Sequence, residues 1–313
     1  VSATVGNDIS TFPDYPADIR APQGSLTGVS GFQVHIGANK VYTPGDKCDV
    51  LVAMNAAALK TQYKFAKSTA CIIIDTDAFQ QSDLEKAAFK TDNPIEEMGI
   101  KQDVIAAPIS KMVKDCLADT GMDNKSMLKC RNMFAVGLVC WLFNRDLTIA
   151  EDFIREKFAK KPEIAEANIK VIRAGYDYGH NTHASAAHTY KIESKVKTPG
   201  RYMDITGNKA TAYGFIAAAE KAGLKLYLGS YPITPATDVL HELSKHKSLG
   251  VMTVQCEDEI SGCASAVGAS FAGALAVTST SGPGICLKSE AMNLAVIMEL
   301  PLVVLDVQRG GPA

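Results

Sequence analysis

The sequence has no long apolar run, almost no net charge and no paired cysteines, and each lack closes off a class of function. The longest nearly unbroken apolar stretch, residues 133–143, is far shorter than the ~20 residues that cross a bilayer. A formal net charge of −2 over 313 residues offers little to attract nucleic acid or an anionic membrane. No basic leader followed by an apolar segment opens the chain, so no secretion signal is expected. The eight cysteines are scattered, mostly in apolar surroundings, and none forms a CxxC pair. That leaves no cradle for an iron–sulfur cluster or a structural zinc, and buried free thiols in a reducing cytoplasm are the expectation. A phosphate loop after a first strand, which a flavodoxin-like nucleotide module needs, is not visible either.

What is there suits two globular domains: 47% apolar and 21% charged residues is ordinary folded composition at ordinary two-domain length. The opening, through Pro22-Gln23-Gly24-Ser25, reads as loop. Residues 32–37 alternate like a half-buried strand, and residues 39–42 are expected to pair back with them. Buried strands follow at 49–54 and 71–75, with a helix over 56–67 between them and a further apolar run at 104–107. Strands alternating with helices argue a parallel sheet covered on both faces. From 109 onward the period is helical, over 109–118, 130–144, 148–160 and 162–174. Arg20, beside Pro22-Gln23-Gly24, could receive phosphate in a glycine-rich loop, but a solvated arginine in a surface turn is the favoured reading. The helical period stops at residue 175. His180, His183 and His188 come next, with no carboxylate or cysteine among them. Their spacing matches no standard metal site, so an exposed linker is expected there.

The second half concentrates its unusual chemistry in three islands, residues 229–235, 257–259 and 306–312. Thr206 or Asn208 is placed to cap a helix running to about Lys221, and a strand over 224–228 then delivers Gly229-Ser230-Tyr231-Pro232-Ile233-Thr234-Pro235. Thr234 reads as the N-cap and Pro235 as the first residue of the next helix. A helix start with free N–H groups and a hydroxyl also suits an anionic substrate. After a strand over 251–255, Glu257-Asp258-Glu259 opens a helix of small residues. The acids there are stabilised by the helix dipole. A helix this poor in bulk also lets a backbone or flat ligand come close, and a sealed carboxyl can hold or give a proton. A strand over 275–279 ends in Thr280-Ser281-Gly282-Pro283-Gly284, and one over 302–307 leads to Arg309. That arginine either grips a carboxylate or lies on the surface of a Gly-Gly-Pro turn.

Taken in order, Tyr231-Pro232-Ile233-Thr234-Pro235, Glu257-Asp258-Glu259, Thr278-Ser279-Thr280-Ser281-Gly282-Pro283-Gly284 and Asp306-Val307-Gln308-Arg309-Gly310-Gly311-Pro312 closely resemble the α subunit of 2-oxoacid:ferredoxin oxidoreductases, nearest its 2-oxoglutarate branch. The first half resembles the family's γ domain through Ile19-Arg20-Ala21-Pro22-Gln23-Gly24 and Gly31-Phe32-Gln33-Val34-His35-Ile36-Gly37. In that branch the γ domain is fused in front of the α domain. The resemblance implies an α/β fold class with two α/β domains. A γ-type domain would occupy 1–180, a linker 181–203, and a thiamine-diphosphate-binding domain of the pyrimidine type 204–313. The family's γ domain opens with a glycine-rich strand–turn–helix that is missing here, and its α part runs well past Arg309. Both domains are therefore expected to be incomplete.

The activity the resemblance implies is CoA-dependent oxidative decarboxylation of 2-oxoglutarate to succinyl-CoA and CO2, or the reverse. Electrons would pass through an iron–sulfur cluster to ferredoxin, and thiamine diphosphate would carry the carbanion chemistry. By motif, Glu259 contacts the aminopyrimidine ring of the cofactor and manages its proton, as the catalytic residue. Thr234 and Arg309 hold the substrate carboxylate, and Tyr231, Pro232, Ile233, Ser281 and Gly282 join Glu259 around the cofactor. Glu257 and Asp258 are left as structural or secondary. No metal ligand is expected on this chain: the diphosphate, Mg2+ and a [4Fe-4S] cluster belong to a separate β subunit, and the chain alone should not turn over. A cytoplasmic heteromer of anaerobic metabolism fits. Two alternatives stand beside it: the same chemistry on pyruvate or a branched or aromatic 2-oxoacid, and a non-catalytic scaffold of the same fold, against which the presence of Thr234, Glu259 and Arg309 argues.

Overall fold

Residues 2–14, 29–182, 189–193 and 199–308 are described by a computed structural model. They divide into two units, one built mainly from residues before 200 and one from residues 200 onward. Both are α/β, as expected, and no described helix is long and apolar enough to cross a membrane.

In the first unit, β1 (Asp8–Asp14) and β2 (Gly31–Gly37) form a two-stranded sheet. This corrects two expectations, because β1 lies in a stretch read as loop and residues 39–42 form no strand. Residues 39–42 instead run as irregular chain, and Ser10 Oγ of β1 donates to the Val41 carbonyl at 2.8 Å. Then follow β3 (Cys48–Ala53), α1 (Ala56–Gln62), β4 (Ala66–Asp75), α2 (Gln81–Lys86), α3 (Pro94–Glu97) and β5 (Asp103–Ala107). The helix at 56 ends earlier than its apolar period suggests, because Ala66 is already paired with Cys48 in the sheet. The sheet order is β3-β4-β5, all parallel. The central strand is buried continuously from Ala70 to Asp75, which is why it reads as an unbroken apolar run.

Helices α4 (Ile109–Leu117), α5 (Asn124–Leu128), α6 (Arg131–Leu142), α7 (Thr148–Lys157) and α8 (Pro162–Thr182) complete this unit. The buried carboxylate of Asp75 anchors α4 to the sheet. Its Oδ1 accepts from the Ile109 and Ser110 N–H groups at 3.0 and 3.4 Å, and its Oδ2 from the Ser110 hydroxyl at 3.1 Å. Burial pushes this carboxyl above the usual range, against the pull of the Ser110 hydrogen bonds. Helix α8 runs eight residues past the expected end. Gly175 does not stop it, because a β-carbon there would meet the Phe134 carbonyl oxygen at 2.1 Å. The glycine serves the close crossing with α6 instead of breaking the helix. His180 consequently sits exposed in the last turn of α8. His183 and His188 lie outside the described residues, as do Arg20 and its neighbours in the loop 15–28.

The second unit runs α9 (Gly207–Ala222), β6 (Leu226–Ser230), α10 (Thr237–Leu243), β7 (Val251–Gln255), α11 (Glu259–Phe271), β8 (Leu275–Thr280), α12 (Gly284–Leu287), α13 (Ser289–Ile297) and β9 (Val303–Asp306). Thr206 caps α9, accepting from the Lys209 N–H at 3.3 Å. All four strands are parallel, in the order β7-β6-β8-β9. Side chains alternate across them. Leu226, Leu228 and Val277 bury against α9 and α10, while Gly229 and Thr278 point to the face that carries α11.

Candidate active site

The order β7-β6-β8-β9 contains a reversal. The chain leaves β6 for β7 on one side and returns across it to β8 on the other. At such a point the loops after two adjacent parallel strands diverge and leave a crevice at their carboxyl ends. Here the two strands are closed by their own serines. Ser230 Oγ lies 2.7 Å from Ser279 Oγ and donates to the Ser279 carbonyl at 3.0 Å. The first island leaves β6 here, and the stretch Thr280-Ser281-Gly282-Pro283-Gly284 begins one residue beyond Ser279.

After β6, Tyr231 is exposed, Pro232 and Ile233 are half-buried, and Thr234 is exposed. The Thr234–Pro235 peptide is cis. Thr234 is not the N-cap it was expected to be: α10 starts at Thr237, its N-cap is Ala236, and no side chain caps it. The preceding turn is held differently, by Asn208 of α9 donating to the Pro235 carbonyl at 2.9 Å. The Thr234 hydroxyl makes no cap, and the residue is exposed.

The acidic island divides its labour. Glu257 is exposed. Asp258 is the N-cap of α11, accepting from the Ser261 N–H at 2.7 Å, and that bond holds its carboxyl below the usual range. Glu259 is the first residue of α11 and is 9% exposed, with no hydrogen bond to its carboxyl among the described residues. The small-residue helix does allow a backbone to come close: a β-carbon on Gly229 of β6 would meet the Gly262 carbonyl at 2.6 Å.

After β8, Thr280 and Ser281 are fully buried, and neither hydroxyl has a partner among the described residues. Gly282 is buried with a positive φ, and its N–H donates to Gln308 Oε1 at 3.2 Å. Gln308 in turn donates to Asp306 at 2.8 Å, and the Val307 N–H donates to the Thr280 carbonyl at 2.9 Å. These bonds bring the end of β9 to the loop after β8. Arg309, the next residue, lies outside the described residues. Gly284 closes the group, since a β-carbon there would stand 2.2 Å from Thr280 Oγ1 and 3.1 Å from Glu259 Oε1.

Sequence reasoning missed one member. Lys288, between α12 and α13, is fully buried. Its Nζ donates to the Glu259 main-chain carbonyl at 3.2 Å and to Thr278 Oγ1 at 2.9 Å, and burial lowers its proton affinity below that of an ordinary lysine. A lone lysine in a helical stretch reads as solvated, and only its apolar predecessors Ile285, Cys286 and Leu287 hint otherwise.

Glycines, hydroxyls and one buried carboxylate thus meet at the switch point of a parallel sheet, in the chain order of the family motifs. Residues 1–178 match the family described as pyruvate ferredoxin/flavodoxin oxidoreductase. The chain belongs to that family. Residues 217–313 match the companion description, pyruvate flavodoxin/ferredoxin oxidoreductase, thiamine diphosphate-binding. Among curated relatives of this oxidoreductase family, 2-oxoglutarate oxidoreductase subunit KorA of Mycobacterium tuberculosis is 50% identical over the whole of this chain and 48% of its own length. The α subunit of 2-oxoacid:ferredoxin oxidoreductase 2 of Aeropyrum pernix is 28% identical over 90% of this chain and 43% of its own. Among solved structures, 2-oxoglutarate:ferredoxin oxidoreductase from Magnetococcus marinus, with 2-oxoglutarate, coenzyme A and succinyl-CoA bound, superposes with a TM-score of 0.71. It is 30% identical, covering all of this chain and 49% of that one. The chain spans about half the length of the relatives it matches.

Proposed function

We propose that this chain is part of the α subunit of a thiamine-diphosphate-dependent 2-oxoacid:ferredoxin oxidoreductase that interconverts 2-oxoglutarate and CoA with succinyl-CoA and CO2. A γ-type domain over 1–180 and a linker over 181–203 precede a pyrimidine-binding domain over 204–313. The observation that carries the reading is the meeting of Glu259, Gly284 and the unpartnered hydroxyls of Thr280 and Ser281 at the β6/β8 crevice. The similarity to a KorA subunit and to a neighbour solved with 2-oxoglutarate supports the substrate.

The residues present fit thiamine diphosphate. Two buried hydroxyls lack partners among the described residues, and a native protein rarely leaves such groups unmatched. Gly284 removes the side chain that would otherwise fill the space beside Glu259. When bound, the cofactor supplies the carbanion chemistry that lets a 2-oxoacid lose CO2. The chain's part is placement and proton control. Glu259 holds or receives a proton at its carboxyl, shielded from bulk water. Ser281 and Gly282 floor the site, and Tyr231, Pro232 and Ile233 wall it. The exposed Thr234 hydroxyl receives the substrate carboxylate, and the motif gives Arg309 the same role. A β subunit completes the site with Mg2+ and a [4Fe-4S] cluster, and passes electrons to ferredoxin in the cytoplasm.

The family description names pyruvate, so pyruvate is the second reading of the substrate. The test is anaerobic viologen reduction with CoA by the full-length chain co-expressed with its β partner, offered 2-oxoglutarate and pyruvate separately. Preference for 2-oxoglutarate is expected. Preference for pyruvate would keep the chemistry and overturn the substrate, and no reduction with any 2-oxoacid would favour a scaffold.

A further inference from the structure

A fully buried lysine needs a reason. Its ammonium loses water on burial, and it would normally be matched by a carboxylate. Lys288 has no ion pair among the described residues. The charged and titratable groups acting on it are Cys263, Glu259, Cys256 and Asp258, and its two acceptors are neutral oxygens: the Glu259 carbonyl on α11 and Thr278 Oγ1 on β8. An apolar side chain would fill the same space at lower cost. What the lysine adds is a bridge between the sheet and the first residue of α11.

That bridge matters because of what Glu259 lacks. No hydrogen bond fixes its carboxyl among the described residues, so its direction is set by its main chain and by the wall at Gly284. The Asp258 cap holds the Ser261 N–H two residues further on, and Lys288 holds the Glu259 carbonyl itself. We infer that Lys288 is the positioning residue of Glu259: its buried ammonium clamps the Glu259 main chain to Thr278 and thereby fixes where the carboxyl points. The inference rests on the reading that Glu259 meets the aminopyrimidine ring of thiamine diphosphate.

The experiment compares binding of thiamine diphosphate with that of its analogue in which the pyrimidine ring nitrogen facing the glutamate is replaced by CH. Affinities are measured by calorimetry on the full-length chain assembled with its β subunit. The wild type is expected to prefer the natural cofactor by about tenfold or more, through one charge-assisted hydrogen bond. Glu259→Gln and Lys288→Met should each bring the preference to within about twofold, and the double variant should lose no more than either single one. Thr278→Val, which keeps the lysine and removes one anchor, should fall between. If Lys288→Met keeps the wild-type preference while only its thermal unfolding midpoint drops, the lysine is structural and the inference is overturned. If Lys288→Met does not assemble, Thr278→Val decides, and a full preference in that variant overturns the inference. A wild type without any preference would overturn the reading of Glu259, and the inference with it.

Discussion

Glu259 and Gly284 are in direct apposition: a β-carbon on Gly284 would stand 3.1 Å from both Cγ and Oε1 of Glu259, and 2.2 Å from Thr280 Oγ1. Gly284→Ala must therefore displace the carboxyl or the threonine, and overpacking of this kind costs about 1–3 kcal/mol. We expect the variant assembled with its β partner to bind thiamine diphosphate roughly 10- to 100-fold more weakly while keeping its secondary structure. Calorimetry and far-UV circular dichroism check this.

The hydroxyls of Thr280 and Ser281, without partners among the described residues, make opposite predictions for the free and loaded protein. A buried hydroxyl without a partner costs about 1–3 kcal/mol. Thr280→Val and Ser281→Ala should thus leave the cofactor-free protein as stable as the wild type or more so, and weaken thiamine diphosphate binding. Thermal unfolding with and without cofactor reads both signs at once.

Glu242 supplies a pH test away from the site. Lys245, at 2.7 Å, and then His246 and Tyr213 hold its carboxyl down from 4.5 to about 2. The unfolded chain takes up this proton near 4.5 and the folded chain only near 2, so the stabilisation is full above pH 4.5 and is lost as pH falls towards 2. Denaturant midpoints measured across that window should fall less steeply in Glu242→Gln than in the wild type.

In the first unit, Asp75→Ala would strand the Ile109 and Ser110 N–H groups in the interior, at a cost of about 2–3 kcal/mol. Asp75→Asn keeps an acceptor and removes a charge that burial disfavours, so its cost should be about 1 kcal/mol or less. Urea unfolding of the two variants separates them.

The parts legible in the sequence are those written in short-range pattern. The apolar run ending in Ile72, Ile73 and Ile74 announces a buried parallel strand, and the three acids ahead of a small-residue stretch announce a helix start. What escaped depends on partners distant in sequence. Gly175 looks like a helix stop until Phe134 is seen against it. Strand β1 has few apolar residues and is defined by pairing with β2. Thr234 has the local signature of an N-cap, yet the helix begins at Thr237. Lys288 becomes informative only when the fold sets it beneath Glu259, 29 positions earlier. The motifs carry the proposed site, and the contacts that support it show only in the tertiary fold.

The most direct test of the central claim is Glu259→Gln beside the wild type, in the full-length chain assembled with its β subunit under anaerobic conditions. CoA-dependent viologen reduction with 2-oxoglutarate is followed, and bound thiamine diphosphate is quantified in both. We expect the variant to retain cofactor and to lose about 10²- to 10⁴-fold in kcat, the range for removing a general acid–base. A variant with wild-type turnover would contradict the assignment of Glu259, and with it the account of the crevice as the active site.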